Sequence, residues 1–262
     1  AEHPRRPPAR RRSGLTRRGP ATLEGVRKLL ITLVVLAVLL VAADFGGRAY
    51  AEYRAASAIQ TEVGLPQPPD VSIEGFPFLL HAVQGSYPQV VVSAGDVGAG
   101  RLPGTQVRLT LTTVSLPLSD AMAGNTSRLT AQATTTQVVI PISALQAALP
   151  RPDVTLAAGP NGTLQASTTL SVAGVSFPVT GSAALSVADD QLTLTVDNLS
   201  AAGIDLTRAA RDAASALASG LSTTIPLAGL PFTVTSGTVQ ASGSDVVITV
   251  DTGPVTFQDL RR

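Results

Sequence analysis

The chain has no cysteine, no tryptophan, one methionine and two histidines in 262 residues. Without cysteine there is no disulfide, no thiolate metal site and no lipid-modified N-terminal cysteine of the bacterial kind. His3 lies in an Arg- and Pro-rich tail, which leaves His81 as the one histidine available to a folded region and excludes a histidine-based metal cluster. No G-x-S-x-G elbow, Walker loop or D-x-[DN]-x-[DN]-G calcium loop occurs. Aromatic residues make up 3% of the chain although apolar residues make up 44%, so a core must be built from Val, Leu, Ile and Ala. Lysine is nearly absent too: Lys28 stands against eighteen arginines, and with abundant Ala, Gly and Val this bias points to a GC-rich genome.

Charge is present but segregated. Residues 1–28 hold nine Arg or Lys against Glu2 and Glu24, a balance of +7, while residues 44–262 hold ten Arg against sixteen Asp or Glu, a balance of −6. A nucleic-acid binder carries its basic charge on the folded domain, which is not the pattern here.

Between the two charge blocks, Leu29 to Ala43 is uncharged and almost wholly aliphatic. Fifteen helical residues cover roughly 22 Å, against about 30 Å of bilayer hydrocarbon. The run is short for a span, but Val26 and Phe45 extend it, and Arg27 and Lys28 can snorkel to the headgroups. Two readings stand: a retained anchor over 26–45, or a signal peptide cleaved after Val41-Ala42-Ala43. Both put the Arg-rich end in the cytoplasm and the remainder outside. The expected organisation is a disordered basic tail over 1–25, an anchor or uncleaved signal over 26–45, an extracytoplasmic domain over 46–252, and a C-terminal tail over 253–262.

The exported part reads as mostly β. Helical spacing over 44–63 ends at Gly64, before Pro66, Pro68 and Pro69. A strand at Val71–Ile73 leads to Pro77, which opens a short helix carrying Phe78, Leu79, Ala82 and Val83 and ending at Gly85. Val107, Leu109 and Leu111 alternate with polar residues, and then the phase slips to Val114, Leu116 and Leu118, which predicts a bulge or bend. A second change of parity around Gly174 predicts another bend. Asp189-Asp190 is expected to turn a hairpin, and Ser242-Gly243-Ser244 another. Short helices are expected at Ser143–Leu149, with Ser143 as N-cap, and at Thr207–Ala218, with Gly220 after it. Gly174-Val175-Ser176-Phe177-Pro178 is echoed weakly by Gly229-Leu230-Pro231-Phe232.

The string Val71-x-Ile73-x-Gly75-Phe76-Pro77-Phe78-Leu79, followed by Gly85-x-Tyr87, resembles the LmeA-like envelope proteins of actinobacteria, as does the Gly229–Phe232 stretch. The resemblance covers about residues 44–252. It implies phospholipid binding, including phosphatidylinositol types, and support of lipoglycan assembly in mycobacteria. It also implies an α+β fold like the tubular lipid-binding domains: a strongly curved antiparallel sheet wrapped around a long helix, here preceded by one N-terminal transmembrane helix. No catalytic residue and no cofactor come with it.

An aliphatic, bend-rich β domain suits such a role. Two acyl chains carry roughly 30 methylenes, and exposing them to water costs about 24 kcal/mol. Phe76, Phe78, Leu79, Val83, Tyr87, Phe177 and Phe232 are the residues expected to face lipid, against the plain alternative that they pack an ordinary core. Two other functions stay open: a scaffold that recruits an envelope enzyme such as a membrane glycosyltransferase, and a hydrolase using His81.

Overall fold

The computed structural model of the chain describes residues 21–97, 102–123, 125, 127–149, 151–172, 174–201, 208–227 and 236–256. The chain divides into two units, Ala1–Ala43 and Asp44–Arg262. Most of the predicted basic tail, the C-terminal end and the Gly229–Phe232 echo lie outside the described residues.

The described part of the first unit is helical and belongs to α1 (Ala21–Val63). The best 18-residue window of this helix has a mean hydropathy of 2.7 and is almost wholly exposed, so by length and composition it can cross a membrane. Apart from Thr32, whose hydroxyl bonds to Lys28 O, its side chains from Leu29 to Val41 are apolar and exposed, which fits lipid rather than a protein core.

In the second unit, α1 continues from Asp44 and stops at Gly64 (φ 72), whose N–H bonds to Gln60 O. Beyond it the class is α+β with antiparallel strands, as predicted, and the strands are shared between two sheets. The first contains β1 (Asp70–Glu74), β2 (Ser86–Ala94), β3 (Gln106–Ser115), β4 (Thr130–Pro141), β10 (Thr238–Ser242) and β11 (Asp245–Thr252), in the order β1-β2-β3-β4-β11-β10. The short β12 (Val255–Thr256) also pairs with β4. The second runs β5 (Thr155–Ala158), β6 (Leu164–Val172), β7 (Val175–Ala188), β8 (Gln191–Ala201), β9 (Thr223–Pro226) in chain order. Helices α2 (Phe78–Gln84) and α3 (Leu118–Ala123) flank the first sheet. Helices α4 (Ile142–Ala148) and α5 (Arg208–Leu221) pack on the second.

The slip in β3 is a crease across three strands. Thr113 adopts a left-handed conformation (φ 50). The β2–β3 ladder passes from Tyr87↔Val114 to Gln89↔Thr112, skipping Pro88 and Thr113, and the β3–β4 ladder skips Thr113 and Gln132. Pro88 has no N–H to offer at that point. Burial follows the crease: Leu111 and Val114 face inward on β3, as do Ala131 and Thr134 on β4.

Three local expectations change. The parity switch at Gly174 (φ 82) is a tight hairpin turn rather than a bend, because Val172 pairs directly with Val175. A two-residue loop pairs odd positions with even ones on the same face, which is what the sequence pattern recorded. The N-cap of α4 is Pro141, with no side-chain cap bond, so Ser143 lies inside the helix. Gly220 lies within the last turn of α5 rather than after it. Asp189 and Asp190 both have positive φ and turn the β7–β8 hairpin, with Ala188 paired to Gln191.

The interior has two clusters. The larger joins Val107, Val138, Ile140, Val246 and Ile248 of the first sheet to residues of β5–β9, α4 and α5. The smaller holds Phe78, Ala82, Tyr87, Leu111, Val114 and Ala131.

Candidate functional site

Two places combine apolar chemistry with an unusual setting. The first is an interior crevice in the larger cluster. Leu145 and Leu149 from the α4 region, Leu156, Leu164, Leu185, Leu192 and Leu194 from β5–β8, and Ile225 from β9 line it, and every one is a branched aliphatic. It is nowhere wide enough for a water molecule. Pockets that enclose small-molecule ligands run from roughly 300 to 1,000 Å³. The crevice is therefore closed in this conformation, with leucine side chains filling the space between helix and sheet. The lining offers no polar surface, so parting it costs chiefly rotamer changes and dispersion energy, together with the bond by which Gln146 of α4 accepts the Leu156 N–H of β5.

The second place is the end of the unit built around α2. Phe78 and Ala82 point into the smaller core, where the Phe78 and Tyr87 rings stand 6.2 Å apart. Burial raises the pKa of the Tyr87 phenol above its ordinary value. Leu79, Leu80 and Val83 point out to solvent, as does Phe76 in the preceding turn. Gly85 (φ 64) closes α2, and its carbonyl accepts the Leu116 N–H, so α2 is tied to the segment that leads into α3.

The first turn of α2 has no side-chain cap of its own. Asp44 supplies one from α1: Oδ2 accepts the Phe78 N–H at 2.9 Å and Oδ1 accepts the Leu79 N–H at 2.7 Å, with the carboxylate buried. The next residue, Phe45, lays its ring 6.4 Å from that of Phe76. Gly47 permits this approach, since a methyl group there would sit 3.3 Å from Leu79 Cδ2. One turn on, the Arg48 guanidinium pairs with Glu52, which raises its pKa, and Glu52 also accepts the Ile73 N–H. α1 is thereby fastened to both α2 and β1.

The residues predicted to face lipid divide among these places. Phe76, Phe78, Leu79, Val83 and Tyr87 gather around α2, but Phe78 and Tyr87 face inward while the other three face outward. Phe177 is partly buried on β7, paired with Leu170 in the second sheet. Phe232 lies outside the described residues. The sequence pattern did not single out the eight crevice residues, which come from six elements and share no local motif. His81 Nδ1 lies 3.1 Å from the Ser86 carbonyl, and its ring stands against Gly75, so its near surroundings are backbone. Among the described residues, no group of three or more His, Asp or Glu is placed to hold a metal ion.

No curated protein and no solved structure matches the chain significantly. The family model described as LmeA-like phospholipid-binding matches residues 42–251. That span begins two residues before the Asp44 cap and takes in α2, both sheets and the crevice, so the chain belongs to the LmeA-like phospholipid-binding family.

Proposed function

We propose that the protein is a membrane-anchored carrier or presenter of phospholipid in a cell envelope. In this reading, residues 26–45 hold it in the membrane, the Arg-rich end is cytoplasmic, and the unit from Asp44 onward is outside. An acyl chain enters the leucine-lined crevice as α4 moves off the second sheet. A phosphatidylinositol-type headgroup is the first class to test, and the cargo serves envelope lipid or lipoglycan assembly. No covalent step is part of the reading.

The observation that carries it is the crevice: eight lining residues, all Leu or Ile, in a member of a phospholipid-binding family. Once a chain has left the bilayer, sheltering about 15 methylenes from water is worth roughly 12 kcal/mol, which is what a carrier must supply.

The test is photocrosslinking of the full chain in vesicles, using phospholipids that carry a photoreactive group at the acyl terminus. Adducts are expected in peptides containing Leu156, Leu185 or Leu192. Leu185→Trp, which fills the crevice from a partly buried position, is expected to reduce them at least fivefold. Adducts confined to residues 29–43 would defeat the reading and favour a scaffold that recruits an envelope enzyme. Competition among phosphatidylinositol, phosphatidylglycerol and phosphatidylethanolamine reads the headgroup preference.

A further inference from the structure

The α2 end of the second unit exposes a group of large apolar side chains. Phe45 is 61% exposed, Phe76 67% and Val83 74%, and Leu80 and Met122 of the adjoining α3 are exposed as well. Residues 76–84 carry no Asp, Glu, Lys or Arg. The nearby acid of α3, Asp120, is turned inward, with both carboxylate oxygens within 2.9 Å of Arg128 Nη2. Isolated exposed apolar side chains need no explanation, but a charge-free cluster with two phenylalanine rings in contact does.

Its place in the chain identifies what covers it. The aliphatic run ends at Ala43, and the next two residues bind this surface: Asp44 caps α2 and Phe45 touches Phe76. If residues 29–43 cross a bilayer, Asp44 and Phe45 stand at its boundary, and the first turn of α2 is held there by two hydrogen bonds. The uncharged run is short for a span, its roughly 22 Å falling below the roughly 30 Å of hydrocarbon, so the residues that follow it lie close to the interface. A short span draws its flanking residues and the bilayer surface toward each other.

We propose that Phe45, Phe76, Leu79, Leu80 and Val83 form an apolar collar that sinks into the bilayer leaflet on the Asp44 side. The occupant of this surface is the lipid bilayer. The collar holds α2 at headgroup depth. The inference rests on the anchor in the proposed function and is independent of the crevice.

The absence of cysteine makes the test clean. Full-length Val83→Cys and Ser242→Cys are each labelled with an environment-sensitive fluorophore and reconstituted into phosphatidylcholine vesicles containing shallow spin-labelled lipids. Ser242 ends β10, at the edge of the first sheet opposite β1, and serves as the solvent reference. The Val83→Cys label is expected to be quenched at least threefold more than the Ser242→Cys label. Adding Leu80→Asp is expected to reduce that quenching, with the Ser242→Cys signal and the circular dichroism unchanged. Equal quenching at the two positions, in protein that floats with the vesicles, overturns the collar and leaves the anchor standing. Failure to float overturns both. Copy-to-copy crosslinking through Val83→Cys at low protein-to-lipid ratio assigns the surface to a second copy and also overturns the proposal.

Discussion

The buried carboxylate of Asp44 caps a helix that begins 34 residues later, accepting the Phe78 N–H at 2.9 Å and the Leu79 N–H at 2.7 Å. Asp44→Ala leaves two amides without an acceptor and is expected to cost about 2–4 kcal/mol. Asp44→Asn, which keeps the shape but not the charge, is expected to cost about half of that. Thermal unfolding in detergent gives the sum. Hydrogen exchange at Phe78 and Leu79 locates it, and both amides are expected to lose protection before those of β4.

Gly85 and Gly243 share a left-handed backbone, with φ of 64 and 61, but differ in their surroundings. A methyl group at Gly85 would stand 3.1 Å from Leu116 O and from Pro117 Cα, while one at Gly243 would meet open space. Gly243→Ala is expected to cost about 1 kcal/mol, the backbone strain alone. Gly85→Ala adds a clash with backbone that cannot swing aside, for a total of about 2–3 kcal/mol. The difference between the two unfolding free energies measures how firmly α2 is seated against the α3 segment.

Thr134 is buried on β4 opposite Leu111, and its hydroxyl has no hydrogen-bond partner among the described residues. Thr134→Val replaces that hydroxyl with a methyl group at nearly equal volume. It is expected to stabilise the protein by about 1 kcal/mol, read as a higher midpoint in denaturant at unchanged slope.

Tyr87 sets an alkaline limit. Burial raises its phenol pKa above the ordinary value of 10.0. Above that pH the unfolded chain gives up this proton while the folded chain keeps it, so the folded state binds more protons and stability falls as pH rises. The contribution is complete below pH 10 and is lost as pH climbs toward the raised value. Tyr87→Phe is expected to flatten the decline above pH 10 in a series of unfolding midpoints, with little change at pH 7.

Local rules carried the sequence a long way. The Pro77-to-Gly85 span was legible as a helix because Pro opens and Gly closes it within one short window. The slip between Leu111 and Val114 was legible because a strand cannot keep burying alternate side chains through a change of phase without a backbone event, here at Thr113. The change at Gly174 misled because a bend and a two-residue hairpin leave the same parity signature, and only the pairing of Val172 with Val175 separates them. Asp44 was legible as the end of the apolar run but not as a cap, since its oxygens serve amides far along the chain. The crevice was hidden for a related reason. Leu149 and Leu192 are unremarkable in their own segments and become lining only when the α4 region and the strands of the second sheet come together.

The crease at Pro88, Thr113 and Gln132 has a mechanical consequence. A sheet transmits load through its rungs, and here neighbouring ladders lack one at the same level. The stretch beside α2 and the stretch that buries the larger core thus meet at a level where both ladders are interrupted, so fewer backbone bonds tie them than tie either stretch within itself.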